Sequence, residues 1–327
     1  MGWEGRVTGV GESESGVPNR CSICGGGIKE LHPFKGGPSV LRCGGCRAER
    51  LFPFPTEEEI RGRYDGYEGT KTDLGGARHL VKLARATIEH FVQLAGPGGR
   101  SPGETTYLEV GFGNGSSLLA ATEYGFRTFG VDLDPTAPGY VKGLAEELGL
   151  PVPTMVTSFD ALPAVEGGFG LVKASQVIEH VADPHAFLGS VAALQRPGGV
   201  LWIDCPNNDA WFWQVKNRIR SWFGREDFWN ALKLGEHLWG HTVPSLTRLL
   251  EAAEYKVVCC EDYSVADERV QPELAHWYPK MLPAVRASVR NRRPLAVLKA
   301  GVRVLDVTSS RLAGRGMGLF GVGRRRG

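Results

Sequence analysis

The sequence predicts a doubly wound α/β fold with a small cysteine-rich module near its N-terminal end. From residue 106 onward, strand-like and helical segments alternate between glycine-rich turns, which is typical of a parallel sheet with helices on both faces. Hydrophobic residues make up 42% of the chain and charged residues 23%, values that exclude collagen-like and disordered proteins. Four of the seven cysteines form two Cys-x2-Cys pairs ahead of that alternation.

The length of 327 residues exceeds that of a single small module, and shifts in composition divide the chain into five segments. We predict a flexible leader, a cysteine module, a helical connector, an α/β core, and a C-terminal segment with basic helices and a final strand. Their limits are residues 1–19, 20–55, 56–105, 106–264 and 265–327.

The charges nearly balance, with 38 basic and 36 acidic residues, so the total does not predict avid binding to nucleic acid or membrane. Eleven Lys or Arg residues and one acid nevertheless lie between Arg286 and the last residue. A basic amphipathic helix from Pro294 could contact an anionic membrane or a phosphorylated acceptor, although docking on the core is the competing interpretation. We expect a cytoplasmic protein, since neither a signal peptide nor an apolar run long enough for a transmembrane segment is evident.

The two cysteine pairs predict a structural zinc site. Cys21 and Cys24 are separated from Cys43 and Cys46 by eighteen residues, a spacing that suits two knuckles around one tetrahedral ion. Four thiolates would fill the coordination shell and leave no position for a catalytic water. Two redox-active pairs are the competing interpretation.

The helical connector and the α/β core follow the cysteine module along the chain. Thr56 before three glutamates predicts a helix start, residues 80–94 have helical periodicity, and the Gly- and Pro-rich residues 96–104 precede the first core strand. The alternation then predicts strands at 106–110, 126–134, 169–175, 200–205, 255–263 and 316–325. It predicts helices after Gly115, through 139–149, near 184–195 and over 245–253.

A glycine-rich turn after the first core strand predicts a ligand site. Glu109, Gly111, Gly113 and Gly115 form an E-x-G-x-G-x-G motif, and small residues there allow the backbone to approach a ligand. The motif differs from a dinucleotide fingerprint because position 116 is serine. We expect Glu109 to bind a ligand ammonium group.

An acid after the second core strand completes this pattern. Asp132 follows Gly111 by 21 residues, where a carboxylate can bind both hydroxyls of a ribose. The glycine turn and this acid together predict a nucleoside ligand with a cationic arm.

These motifs, followed by SQVIEHVADP and RPGGVLWIDCPN, resemble the class I S-adenosylmethionine-dependent methyltransferases over residues 106–264, which have a Rossmann-like sheet. The cysteine module with LRCGGC resembles the N-terminal zinc ribbon of bacterial methyltransferases that act on sugars, polysaccharides or natural products. The resemblance implies that the three glycines face the methionine part of S-adenosylmethionine, Asp132 the ribose and Leu133 the adenine. It also implies cofactor contacts from Ser158, Phe159 or Asp160 at the adenine amine and from Ser175 and Gln176 at the methionine.

Three histidines are candidate general bases, since methyl transfer is an in-line displacement in which the acceptor must lose a proton. His237 is the first choice because its Glu-His-Leu segment matches a family position near the acceptor. His180 and His241 are the other candidates, and a packing role is the alternative for each. The displacement itself requires no metal.

The resemblance implies O-methylation of a sugar, glycoconjugate or natural-product hydroxyl. The alternatives are a nucleic-acid (rRNA or tRNA) methyltransferase, a C-methyltransferase of a nucleotide sugar, and a binding protein without catalysis. The ribbon carries few basic residues, which disfavours nucleic acid, and only a short segment follows the core, which disfavours C-methylation. Aromatic residues are concentrated between 207 and 239 and could cover the acceptor.

Overall fold

A computed structural model of the chain describes most of the segments that the sequence distinguishes. The described residues are 17–33, 38–62, 74–96, 103–222, 228–229, 231–233, 236–264, 266–267, 269–270, 306, 310 and 315–327. Most of the expected leader and the basic helix from Pro294 lie outside them. Within these residues, no helix is both long enough and apolar enough to cross a lipid bilayer.

Seven strands form the central sheet, in the order β12-β13-β8-β7-β4-β5-β6. Neighbours from β8 to β6 are parallel, whereas β13 is antiparallel to both β8 and β12. The strands are β4 (Thr106–Val110), β5 (Arg127–Val131), β6 (Thr154–Val156), β7 (Phe169–Ser175), β8 (Gln195–Pro206), β12 (Tyr255–Tyr263) and β13 (Gly318–Arg325). The doubly wound α/β prediction is therefore confirmed, and the sheet includes one strand from the segment 265–327.

Helices cover both faces of this sheet, and alternate residues of each strand point to opposite sides. On one face Tyr107 packs with α2, α3 and α4, whereas Leu108 belongs to the cluster with α5 and α7 on the other. The helices are α1 (Glu57–Gly62), α2 (Leu74–Ala95), α3 (Ser116–Tyr124), α4 (Ala137–Leu148), α5 (Pro184–Leu194), α6 (Trp211–Trp222) and α7 (Val243–Ala252).

Helix α2 shows how the periodicity of the sequence produces this packing. Its buried residues recur at intervals of three and four and lie on one face: Ala77, Val81, Ala84, Ile88, Phe91 and Ala95. Ile88 and Phe91 are fully buried, and each contributes about 1.5–3 kcal/mol through removal of its side chain from water. The connector is therefore part of the core packing.

The cysteine module forms a second, smaller sheet in the order β1-β2-β3-β11. Its first three strands are β1 (Ile28–Pro33), β2 (Ser39–Cys43) and β3 (Glu49–Phe52). The fourth, β11 (Trp239–Gly240), comes from the loop before α7 and pairs antiparallel with β3. A separate pair, β9 (Phe228–Trp229) and β10 (Leu232–Lys233), lies in the same stretch of chain. The sequence did not predict that β11 completes the sheet of the module.

Candidate functional site

The glycine turn after β4 has the backbone geometry that glycine allows. Gly111 and Gly115 have φ angles of 71° and 73°, in the left-handed region that other residues rarely adopt. A Cβ atom at Gly111 would lie 2.6 Å from Cγ2 of Val177, and one at Gly115 would lie 2.5 Å from Cγ2 of Val141. A Cβ at Gly113 would meet nothing within 4 Å, so the turn is open on that side. We call this turn, Gly111 to Gly115, the cradle. Its two ends are closely packed and its centre is accessible.

Asp132 follows β5 directly, at the same edge of the sheet as the glycine turn. Its Oδ2 accepts a hydrogen bond from the backbone N–H of Gly113 at 2.7 Å, and its Oδ1 accepts one from Asp134 at 2.9 Å. Burial raises the pKa of Asp132, and the two backbone donors oppose that shift. The carboxylate is oriented by the turn, and each oxygen retains a second lone pair for a ribose hydroxyl.

The residues expected to contact adenine are Leu133 and those at a single 3-10 turn, Phe159–Ala161. Leu133 is 59% exposed, the highest value among the exposed large hydrophobic residues that the structure describes. Such exposure next to an oriented acid fits a surface that covers an adenine ring. Ser158 caps the turn in an extended conformation, Phe159 is half-buried and Asp160 is exposed. The geometry does not distinguish among these three as the contact to the adenine amine.

Ser175 and Gln176 lie at the end of β7 and are held by Asp204 of the neighbouring strand β8. Asp204 Oδ1 accepts from Ser175 Oγ at 2.9 Å and from Gln176 Nε2 at 3.0 Å, while Oδ2 accepts from Trp202 Nε1 at 2.9 Å. Gln176 has a φ angle of 55°, which is strained for a residue with a side chain. Sequence reasoning missed Asp204, although a lone acid in an apolar strand was a signal for it.

Glu109 has a partner within the sheet. It is buried on β4, and its Oε1 accepts from Lys173 Nζ on β7 at 3.1 Å. Burial raises the pKa of Glu109, and the charge of Lys173 opposes that shift. One oxygen of the carboxylate is therefore paired within the sheet, and the expected contact between Glu109 and a cofactor ammonium remains a prediction.

Two of the candidate bases lie side by side although 57 positions separate them. The ring centroids of His180 and His237 are 4.9 Å apart, and the rings are nearly perpendicular. His180 Nδ1 lies 2.9 Å from the carbonyl oxygen of Glu236, and His237 Nδ1 lies 2.6 Å from that of Ala231. The turn that carries His180 starts at Val177, which contacts the glycine loop, so the pair borders the cofactor cradle.

Glu179 adjoins this pair and was missed by sequence reasoning. It is 1% exposed, its Oε1 lies 3.8 Å from His180 Nε2, and burial raises its pKa to about 8. The Glu-His dipeptide was the available signal, but only the structure shows that the glutamate points inward.

His241 is separated from the other two histidines by burial. Its ring is stacked beside Trp239 with centroids 6.1 Å apart, its side chain is fully buried, and burial lowers its pKa to about 4. A histidine below the surface cannot reach an acceptor, so the structure disfavours His241 as a base and leaves His237 and His180.

The four cysteines of the N-terminal module converge as the spacing predicted. The Sγ atoms of Cys21 and Cys46 are 3.8 Å apart, those of Cys24 and Cys43 are 3.4 Å apart, and all four lie within 4.8 Å of one another. A zinc ion with Zn–S distances of about 2.3 Å requires sulfur separations of about 3.8 Å. The cluster is therefore compatible with zinc. A Cβ at Gly26 would lie 3.0 Å from Cys43 Sγ, which explains why glycine occupies this knuckle.

The sheet order, the glycine turn and the oriented acid after the second parallel strand are the features of the class I methyltransferase fold. Comparison with known families agrees. The profile of the family described as "Methyltransferase domain" matches residues 79–260, and the chain belongs to this family.

Two curated relatives are O-methyltransferases by name. Over 149 residues, the chain is 35% identical to a ubiquinone biosynthesis O-methyltransferase of Methylobacterium sp. (strain 4-46), an alignment covering 45% of this chain and 58% of the relative. An enzyme of the same name from Paramagnetospirillum magneticum is 32% identical over 138 residues, with 42% and 53% covered. The chain thus spans about half the length of these relatives.

The solved structure supports the fold alone. It is the Haemonchus contortus phospholethanolamine N-methyltransferase 2, with a TM-score of 0.52 and 13% identity. The alignment covers 85% of this chain and 62% of that protein.

Proposed function

We propose that this protein transfers the methyl group of S-adenosylmethionine to a hydroxyl of a small-molecule acceptor, with His237 as the general base. The single observation that carries this proposal is the meeting of His180 and His237 beside the cofactor cradle. Two imidazoles at that position can receive a proton close to where a methyl group would be delivered.

The hydrogen bond of His237 favours the role of a base. A neutral ring whose Nδ1–H donates to the carbonyl of Ala231 has its lone pair on Nε2. His180 is held in the same way by the carbonyl of Glu236. The bound cofactor would supply an electrophilic methyl group on a sulfonium. The glycine turn, Asp132 and the Ser175–Gln176 corner would orient that methyl group toward the acceptor.

The names of the curated relatives favour oxygen as the methylated atom and a ubiquinone-type phenol as the acceptor class. They give no support to the sugar, polysaccharide or glycoconjugate acceptor implied by the zinc-ribbon resemblance. No observation on the described residues favours a nucleic acid or methylation of carbon. We therefore place phenols first among the acceptors to be tested.

The test is a donor-consumption assay with phenols, nucleotide sugars and tRNA as acceptors. Methylation of a phenol supports the proposal. Methylation of tRNA but of no other acceptor contradicts it, and so does the absence of turnover with every acceptor. His237→Ala should lower kcat by about 10²–10⁴-fold on the phenol, the usual contribution of a general base, and leave affinity for S-adenosylmethionine unchanged.

The matched control is His90→Ala, since His90 lies near the end of α2, whose last carbonyl, that of Ala95, accepts from Arg324 at the amino-terminal edge of the parallel strands. It should retain normal turnover. If His237→Ala were fully active and His180→Ala inactive, the general base would be His180. If both variants were fully active, neither histidine would be the general base.

We also propose that Cys21, Cys24, Cys43 and Cys46 hold a structural zinc ion. The sulfur separations support this assignment. The purified protein should contain one zinc per chain by elemental analysis, and Cys43→Ser should reduce that content. A zinc-free protein with two disulfides would favour the redox interpretation.

A further inference from the structure

The cysteine module is bonded to the chain segment that carries the proposed base. We call residues 236–242 the acceptor segment. Its strand β11 pairs with β3 of the module, with Trp239 opposite Arg50 and Gly240 opposite Glu49. The backbone N–H of Leu51 also donates to the carbonyl of Leu238 at 3.3 Å. The acceptor segment is therefore an edge strand of the cysteine module as well as a loop of the catalytic core.

A second contact joins the acceptor segment to the metal knuckle itself. Thr242 Oγ1 donates to the carbonyl oxygen of Cys46 at 2.6 Å, and both residues are fully buried. Because Cys46 Sγ is one of the four clustered thiols, the position of its carbonyl depends on the geometry of the cysteine cluster. Thr242 also accepts from the N–H of Ser245 and so caps α7.

The opposite side of the acceptor segment contacts the turn that carries the other histidine. The N–H groups of Leu238 and Trp239 donate to the carbonyl of Glu179 at 2.7 and 3.1 Å. Trp239 Nε1 donates to the carbonyl of Val181 at 3.1 Å. His237 thus lies in a segment held between the cysteine module and the residues at the end of β7.

A further link runs from the module to the loop after β8. The Nε and Nη2 atoms of Arg47 donate to Asp209 Oδ2 at 3.0 and 2.7 Å, and Arg42 lies 3.6 Å from Oδ1. These groups are partly exposed, so each pair alone contributes about 0–1 kcal/mol. The two N–H groups of Arg47 that share Asp209 Oδ2 nevertheless orient the module on the core.

From these contacts we propose that the cysteine module positions the acceptor half of the active site, and that Thr242 is the positioning residue that links the metal knuckle to the His237 segment. The cofactor half has supports of its own, since Asp132 is held by Gly113 and Asp134 and the end of the glycine turn, Gly115, packs on Val141 of α4. Loss of the metal therefore loosens the acceptor segment and leaves the cofactor cradle intact. The inference rests on the proposed function for the role of His237 but is tested independently of any acceptor.

The first test compares hydrogen exchange of the full chain before and after zinc is removed with a chelator under reducing conditions. Amides of residues 238–240 should exchange at least tenfold faster after removal. The dissociation constant for S-adenosylmethionine, measured by calorimetry, should change less than twofold. Unchanged exchange at 238–240 would overturn the proposal, and so would an equal loss of cofactor affinity, which would indicate general unfolding.

The second test uses three variants to separate the link to Cys46 from the capping of α7. Thr242→Val removes both interactions and should accelerate exchange at 238–240 at least tenfold in the zinc-loaded protein. Ser245→Ala removes the reciprocal capping bond but retains the bond to Cys46, and should leave that exchange near the wild-type rate. Thr242→Ser retains the hydroxyl and should restore the wild-type behaviour. Equal acceleration in Thr242→Val and Ser245→Ala would assign the effect to helix capping and refute the proposal.

Discussion

Asp132→Asn tests the cofactor half of the site directly, because it keeps the size of the side chain and removes its charge. The two carboxylate oxygens accept from Gly113 and Asp134 at 2.7 and 2.9 Å. Asparagine has one oxygen and one NH₂ group. One of the two backbone N–H groups would therefore face another donor, and the side chain could accept fewer hydrogen bonds from a ribose.

The structure sets the size of the expected effect. A hydrogen bond to a charged group contributes about 1.5–3 kcal/mol, and the substitution should remove about one such bond to the bound nucleoside. Since about 1.4 kcal/mol corresponds to a factor of ten, the dissociation constant for S-adenosylmethionine should rise about 10- to 150-fold.

Titration calorimetry with S-adenosylmethionine measures this change. Asp267→Asn is the matched control because Asp267 pairs with Arg269 at 2.8 Å in the segment after β12, a strand four places from β4 in the sheet order. The control should bind within twofold of wild type. A folded Asp132→Asn variant, verified by thermal unfolding without ligand, that binds as tightly as wild type would refute the role of Asp132.

Three further predictions concern the core that supports the site. Burial raises the pKa of Glu179 from its usual 4.5 to about 8, so the native protein retains a proton that the unfolded chain releases. Stability should therefore fall as the pH rises from about 4.5 to 8, by up to about 5 kcal/mol, and Glu179→Gln should flatten this decline in scanning calorimetry at successive pH values. A variant with an unchanged slope would contradict the assignment. Gly115→Ala places a Cβ 2.5 Å from a valine of α4 at a φ of 73°, and should lower the free energy of unfolding in urea by about 1–3 kcal/mol. Gly143→Ala, which has open space around it on α4, should not lower that free energy. Asp204→Asn weakens the three hydrogen bonds that this buried carboxylate accepts and should lower the free energy of unfolding by about 1.5–3 kcal/mol. An unchanged denaturation midpoint would disprove this account.

Much of the fold was predictable because its determinants are local. The strand at 169–175 and the strand at Tyr255–Tyr263 lie where the apolar runs place them, and α5 begins at Pro184 behind the Asp183 cap. The glycine turn was predictable for the same reason, since a left-handed backbone at Gly111 and Gly115 requires glycine at those positions.

The roles of the charged and titratable residues were less predictable because their partners are distant in sequence. Glu109 pairs with Lys173, which lies 64 residues later in the chain, and no local pattern in the sequence indicates this partner. His241 has the same residue type as His237 and lies four positions away, yet one is fully buried and the other borders the cradle.

The sequence by itself determined the class of the protein, the cofactor cradle and the cysteine cluster, because each depends on residue types at short, defined spacings. Only the tertiary structure decided that His180 and His237 meet, that β11 completes the sheet of the cysteine module, and that β13 inserts between β8 and β12. These contacts join residues 55 or more positions apart. The same residues could form many other strand pairings and side-chain contacts. The packing of the described residues against one another selects one set.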